Sequence, residues 1–287
     1  MSRLETFAQD KLAFVVPKDF AIKILATNWG FEGSWEAFCK KAKDAGYDGT
    51  EVWLPGKEND RQEMLEAVKK YNLQLGFLAG GWQSDFKEHL AAFQKNLDDC
   101  VKLQPLYINC HSGRDYFSFE QNKQFVDATL NAAKASGIPI FHETHRARMC
   151  YSAPVTRKFL EEIPEMRINV DFSHWCTVHE SLLQDQPETL KLALSRADHI
   201  HARVGHQEGP QVNDPRAPEW SEVIKQHFAW WDEVVQNKIK AGAKHLTTLT
   251  EFGPPNYLPT LPYTRQPVAN QWEINVYMKE LLRKRYS

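Results

Sequence analysis

Eight short runs rich in apolar and β-branched residues recur along the chain at residues 21–27, 49–55, 74–80, 106–113, 138–146, 168–174, 199–205 and 245–253. Each is bounded by Gly, Pro or a turn residue, as β-strands are. Their starts lie 28, 25, 32, 32, 30, 31 and 46 residues apart. Amphipathic stretches at 34–45, 60–71, 86–103, 119–136, 154–162, 187–195, 219–241 and 268–285 fill the gaps with helical periodicity. Ser34 stands at an N-cap position, and Gly46, Gly137 and Gly242 sit just past helix ends, where a left-handed cap is wanted.

Eight βα units with no break in composition predict one α/β domain, a closed (β/α)8 TIM barrel over 1–287 with a short N-terminal extension at 1–20. A doubly wound sheet would usually carry Gly-x-Gly-x-x-Gly after an early strand, and none appears. The 287 residues exceed the usual ~100–200 per domain, but α/β barrels reach ~250 as one unit.

Other classes fall away on composition. Lys and Arg number 35 against 37 Asp and Glu, a net charge of −2 that argues against a nucleic-acid binder. Aromatics at 12 %, nine of them Trp, argue against disorder. No run approaches the ~18 apolar residues of a membrane span, and Glu5 falls where a signal peptide needs an apolar core, so a cytoplasmic location is expected. Five scattered cysteines without a Cys-x-x-Cys pair suggest neither disulfides nor structural zinc.

Polar residues cluster at the ends of four consecutive predicted strands: Glu143 on the fifth, Asp171 and His174 on the sixth, His199, His201 and Arg203 on the seventh, Glu251 on the eighth. Alternation along a strand puts His199, His201 and Arg203 on one face, and Glu143 with His145. Three carboxylates gathered in a barrel mouth need a cation. The set Glu143, Asp171, His201 and Glu251 is rich in oxygen and suits one divalent ion per chain, Mn²⁺ first, with Mg²⁺, Zn²⁺ or Co²⁺ as alternatives. His142-Glu143-Thr144-His145 is not a zinc-protease motif, because its histidines are three apart in a strand and point to opposite faces. Glu51 and His111, in the carboxyl halves of strands two and four, are further pocket candidates. Trp29, Trp53, Trp82 and Trp175 follow or end strands and could form aromatic walls against a sugar.

This series, Glu on strand five, Asp-x-x-His on strand six, His-x-His on strand seven and Glu on strand eight, resembles the xylose isomerase-like TIM-barrel superfamily. It is most similar to the sugar phosphate isomerase/epimerase group that includes D-tagatose/D-psicose 3-epimerases. The resemblance spans the chain from about Ala21 to Arg285. It implies that Glu143, Asp171, His201 and Glu251 ligate the metal and that His174 reaches the substrate, with Arg203, His111, Glu51 and His145 as further substrate-binding candidates. It also implies that Glu143 and Glu251 lie on opposite sides of a bound ketose, one removing the proton α to the carbonyl and the other returning it. The expected partner is a small sugar, with no nucleic acid and no membrane.

Three other readings stay open. A dehydratase or lyase acting on a keto-sugar or keto-inositol would use the same site with His111 or His145 as general acid. An AP-endonuclease-like hydrolase would need a further histidine after strand three, where the chain reads Ala79-Gly80-Gly81-Trp82. A non-catalytic sugar-binding barrel would tolerate broken carboxylates, but all four positions are intact. Finding no Gly-rich phosphate loop weighs towards an unphosphorylated substrate.

Segments 205–219 and 253–267 are long, Pro-rich and aperiodic, and both follow strands. Gly205 and Gly209 suggest hinges. The two segments are expected to roof the site, with at least one of His206, Glu208 or Arg216 pointing inward. The competing reading of the aromatic stretch 257–263 is a subunit contact in a homo-oligomer.

Overall fold

The chain closes a parallel eight-stranded barrel in strict sequence order, β8 pairing with β1. In this computed structural model, residue 12 and residues 14–287 are described. The order is β1 (Ala21–Thr27), α1 (Trp35–Asp44), β2 (Gly49–Trp53), α2 (Glu58–Lys70), β3 (Gln74–Gly80), α3 (Phe86–Lys102), β4 (Tyr107–His111), α4 (Phe119–Ser136) and β5 (Ile140–Glu143). It continues through α5 (Ala153–Glu162), β6 (Ile168–Val170), α6 (Phe172–His179), α7 (Pro187–Ser195), β7 (Ala197–His201), α8 (Ser221–Lys240), β8 (His245–Thr250) and α9 (Gln271–Arg285). The N-terminal extension expected over 1–20 falls mostly outside the described residues.

Local chemistry sets the helix ends as expected. Ser34 Oγ accepts from the Ala37 N–H at 3.2 Å, and Gly137 closes α4 at φ 74°. Ser118 and Gln121 form a reciprocal capping box at the start of α4. Six strands, β2 and β4 to β8, end earlier than their composition suggests. Strand β6 stops at Val170 because the Asp171 carboxylate accepts from the Ser173 N–H at 3.2 Å, capping α6 and turning the chain into a helix. The stretch Phe172–His179 is aromatic and β-branched, so its composition favours extension, and the strand expected over 168–174 takes in its first three residues. His174 therefore stands on the first turn of a helix rather than on strand six. Strands β5, β7 and β8 likewise end at Glu143, His201 and Thr250, leaving His145, Arg203 and Glu251 on the loops beyond.

The main core lies between the barrel and its helices, where the five cysteines are buried and free. Inside the barrel, Leu25, Tyr107, Phe141 and Leu249 make an apolar floor. Two residues further along the chain, the same alternation brings Thr27, Asn109, Glu143 and, just past the end of β8, Glu251 to this interior. An apolar bottom beneath a polar top is thus written in the period of the strands. Among the described residues, no helix is long and apolar enough to cross a membrane.

Candidate functional site

The polar top of the barrel gathers Glu143, Asp171, His201 and Glu251, each offering a ligand atom within 4.8 Å of the others. All four are buried, Glu251 being the most accessible at 7 %. His201 points its Nδ1 at Glu251 Oε2, 2.8 Å away, and at Glu143 Oε2, 3.6 Å away. Glu143 Oε2 accepts from Asn109 Nδ2 at 2.7 Å and faces His111 Nε2 at 3.0 Å, while its Oε1 has no partner. Asp171 is held by Ser173 and by Arg203, whose guanidinium also lies 3.4 Å from Glu251.

The charge balance fits a divalent cation. Burial alone would strip His201 of its proton, yet the carboxylates of Glu251, Glu51 and Glu143 carry its pKa well above the usual histidine value. Burial pushes Asp171 up to about 6 against the pull of Arg203. Burial also opposes ionisation of Glu143, but His111 and His201 hold it well below the carboxylate range. The cluster thus gathers more carboxylates than Arg203 alone balances, and the proton that His201 retains offsets part of the difference. A metal would displace that proton, and Glu143 Oε1 is free to serve as a ligand.

Glu51 does not line the cavity, as its strand position had suggested. It is fully buried behind the cluster, its Oε1 3.0 Å from His201 Nε2 and its Oε2 3.2 Å from His199 Nε2. Such a carboxylate orients the ring whose other nitrogen faces the ligands. His174 is also fully buried, 2.8 Å from Arg203 Nη2. His142 leaves the barrel interior for Ser112 and Thr129, while His145 lines the cavity, so the two histidines do point to opposite sides.

A cavity of about 490 Å³ opens above the cluster. Glu251, Arg203, His111 and His145 reach it from below, and Trp29, Trp53, Trp82 and Tyr257 supply aromatic walls. Trp175 does not join them; it is buried against Phe172 in the outer core. His145 sits between His111 and His174, its ring tilted 40° and 49° to theirs, with centroids 4.7 and 3.9 Å away.

The two late loops divide the expected roofing role unequally. Segment 253–267 brings Tyr257 over the Arg203 guanidinium at 4.7 Å. Segment 205–219 supplies no cavity-lining residue: His206 packs against Trp220, Arg216 pairs with Asp214, and Glu208 is exposed. Gly205 is not a free hinge, since a Cβ there would come within 2.6 Å of Ser173. The segment serves instead as a brace. Gln211 exchanges two hydrogen bonds with the Gly253 backbone, accepting at 2.7 Å and donating at 3.2 Å. Asn275 does the same for Phe252, and together they fix the exit of β8 two residues after Glu251. Sequence reasoning missed Gln211, Asn275, Ser173 and Asn109. Only Asn109 left a signal, two residues before His111 on a strand and so on the same face.

The family described as xylose isomerase-like TIM barrel matches the chain over residues 39–227. No curated protein sequence matches it. Among solved structures, D-allulose 3-epimerase from Methylomonas sp. superposes with a TM-score of 0.61 at 16 % identity, covering 95 % of this chain and 100 % of the other. The 3-keto-D-glucoside 4-epimerase of E. coli gives 0.57 at 15 %, over 92 % and 99 %. The probable 3-DHS dehydratase of Bacillus anthracis gives 0.54 at 14 %, also over 92 % and 99 %. At such identities the likeness is one of fold.

Proposed function

Because the chain belongs to the xylose isomerase-like TIM-barrel family, we propose that it is a metal-dependent isomerase or epimerase of a ketose or related keto-sugar. The observation that carries this reading is the buried cluster of three carboxylates and one imidazole, which reaches an aromatic-walled cavity through Glu251. A divalent ion held by Glu143, Asp171, His201 and Glu251, with Mn²⁺ the first choice for such ligands, would supply Lewis acidity to a carbonyl and its neighbouring hydroxyl.

The protein's own groups account for the remaining steps. One of the carboxylates Glu143 and Glu251 takes the proton from the carbon α to the carbonyl. The C–H electron pair becomes the C=C bond of an enediolate, and the carbonyl oxygen receives the charge. Protonation of that carbon by the other carboxylate inverts the centre; protonation of the neighbouring carbon relocates the carbonyl. Arg203, held by Asp171 and covered by Tyr257, sets a fixed positive charge at the edge of the cavity. The flat rings of Trp29 and Trp53 suit the apolar face of a sugar.

Metal analysis of the purified protein, followed by proton NMR of a ketose panel in deuterated water, tests this reading. The expected result is one divalent ion per chain and exchange of a single C–H with solvent. Glu251→Gln should abolish turnover while sugar binding survives. Hydrogen transfer without solvent exchange would remove the two-carboxylate mechanism. Loss of water from the sugar would favour the dehydratase reading, and a chain that holds no ion would remove the ligand set.

A further inference from the structure

The cavity has two chemically distinct sides, and the order of the strands sets them apart. Glu143, Asp171, His201 and Glu251 stand on or just past β5, β6, β7 and β8. Trp29, Trp53, Leu78 and Trp82, all lining the cavity, stand on or just past β1, β2 and β3. In a closed ring of eight strands taken in sequence order, β3 lies opposite β7. Trp82 and His201 therefore come from opposite sides of the barrel mouth. The volume of about 490 Å³ falls within the ~300–1,000 Å³ of pockets that enclose drug-sized ligands, which are larger than a single ketose.

Trp82 is open to solvent and yet firmly seated. It is 61 % exposed. Its N–H donates to Gln83 Oε1 at 2.9 Å, and its carbonyl accepts from Arg114 Nη2 at 2.8 Å. The buried Arg148 guanidinium lies 4.6 Å over the indole. Trp53 packs against it with centroids 5.4 Å apart and planes tilted 50°. Trp53 has its own seat at Gly80, where a Cβ would come within 3.1 Å of the ring. An indole held in this way offers apolar area that a ligand can cover without first ordering a loose side chain.

We propose that the substrate carries a second sugar ring, and that this ring packs on Trp82 while the ketose occupies the metal side of the cavity. This rests on the keto-sugar reading and narrows it to keto-disaccharides. A pyranose has an apolar face of C–H groups that lies flat on an indole, as amphipathic rings do. Its hydroxyl edge stays in water at the open mouth, where Trp82 stands, and that position suits a hydroxylated ring better than an aromatic one.

Calorimetric titration of the Mn²⁺-supplemented protein with D-fructose, turanose, lactulose and isomaltulose tests the assignment. The three disaccharides carry a second hexose on different oxygens of the fructose unit, so the linkage need not be known beforehand. At least one of them should bind about tenfold more tightly than D-fructose, because the Trp82 surface is already ordered. Trp82→Ala should cut that disaccharide-to-fructose ratio by about threefold or more, with Trp82→Phe retaining part of it. Disaccharides that bind no more tightly than D-fructose, or a preference that Trp82→Ala leaves unchanged, overturn the proposal. Binding of no ketose at all overturns the keto-sugar reading as well.

Discussion

Replacing Gln211 by Met would measure what the brace behind the site contributes. The side chain keeps its length and volume, so the change removes two hydrogen bonds without opening a cavity. It strands the Gly253 N–H and C=O, both bound by Gln211 at 2.7 and 3.2 Å. Water has little room to replace it, because a Cβ on Gly253 would already lie 2.4 Å from the Trp29 ring. A buried backbone group left unpaired costs ~1–3 kcal/mol, so two such groups cost about 3 kcal/mol. With an unfolding entropy of ~2.1 cal/mol/K per residue, a chain of this size has about 0.6 kcal/mol/K, and the midpoint should fall by about 5 °C. Scanning calorimetry of chelator-treated protein reads this directly. Since Gly253 is two residues beyond Glu251, Mn²⁺ affinity should also weaken about tenfold. A midpoint within ~1 °C of the parent, with unchanged metal affinity, would refute the brace.

Glu51→Gln should weaken Mn²⁺ binding by ~10–100-fold in a calorimetric titration, because the amide no longer orients His201 as a carboxylate does; unchanged affinity would refute the orienting role. Buried His227, with Nε2 against the Gly205 backbone, has its pKa lowered to about 4 by burial. The unfolded chain therefore binds a proton between about pH 6.5 and 4 that the folded chain refuses, so stability falls as the pH drops through that window, by ~3 kcal/mol at most. His227→Gln should flatten this part of the pH profile in thermal melts, and parallel profiles would exclude His227 as the cause.

Much of the fold was legible because barrel strands carry a local signature. A buried parallel strand needs β-branched and apolar residues, its helix needs a 3.6-residue period, and neither depends on distant parts of the chain. Strand starts were accordingly close, and β1 and β3 matched end to end. Strand ends were harder to read, since a cap decides them. Asp171 stops β6 with one side-chain hydrogen bond, against a run whose composition favours extension.

Strand alternation by itself brought Glu143, His201 and Glu251 to one interior and sent His142 out of it, since a period of two admits only two faces. The rest belongs to the tertiary structure. Glu51 and His201 are 150 positions apart in sequence, Gln211 and Gly253 are 42 apart, and no local pattern marks either pair. Whether Glu51 meets substrate or stands behind a histidine depends on its depth in the barrel, which is set by register between neighbouring strands. The same holds for Arg148. A loop arginine reads as a solvated charge until the closed barrel buries it against Trp82.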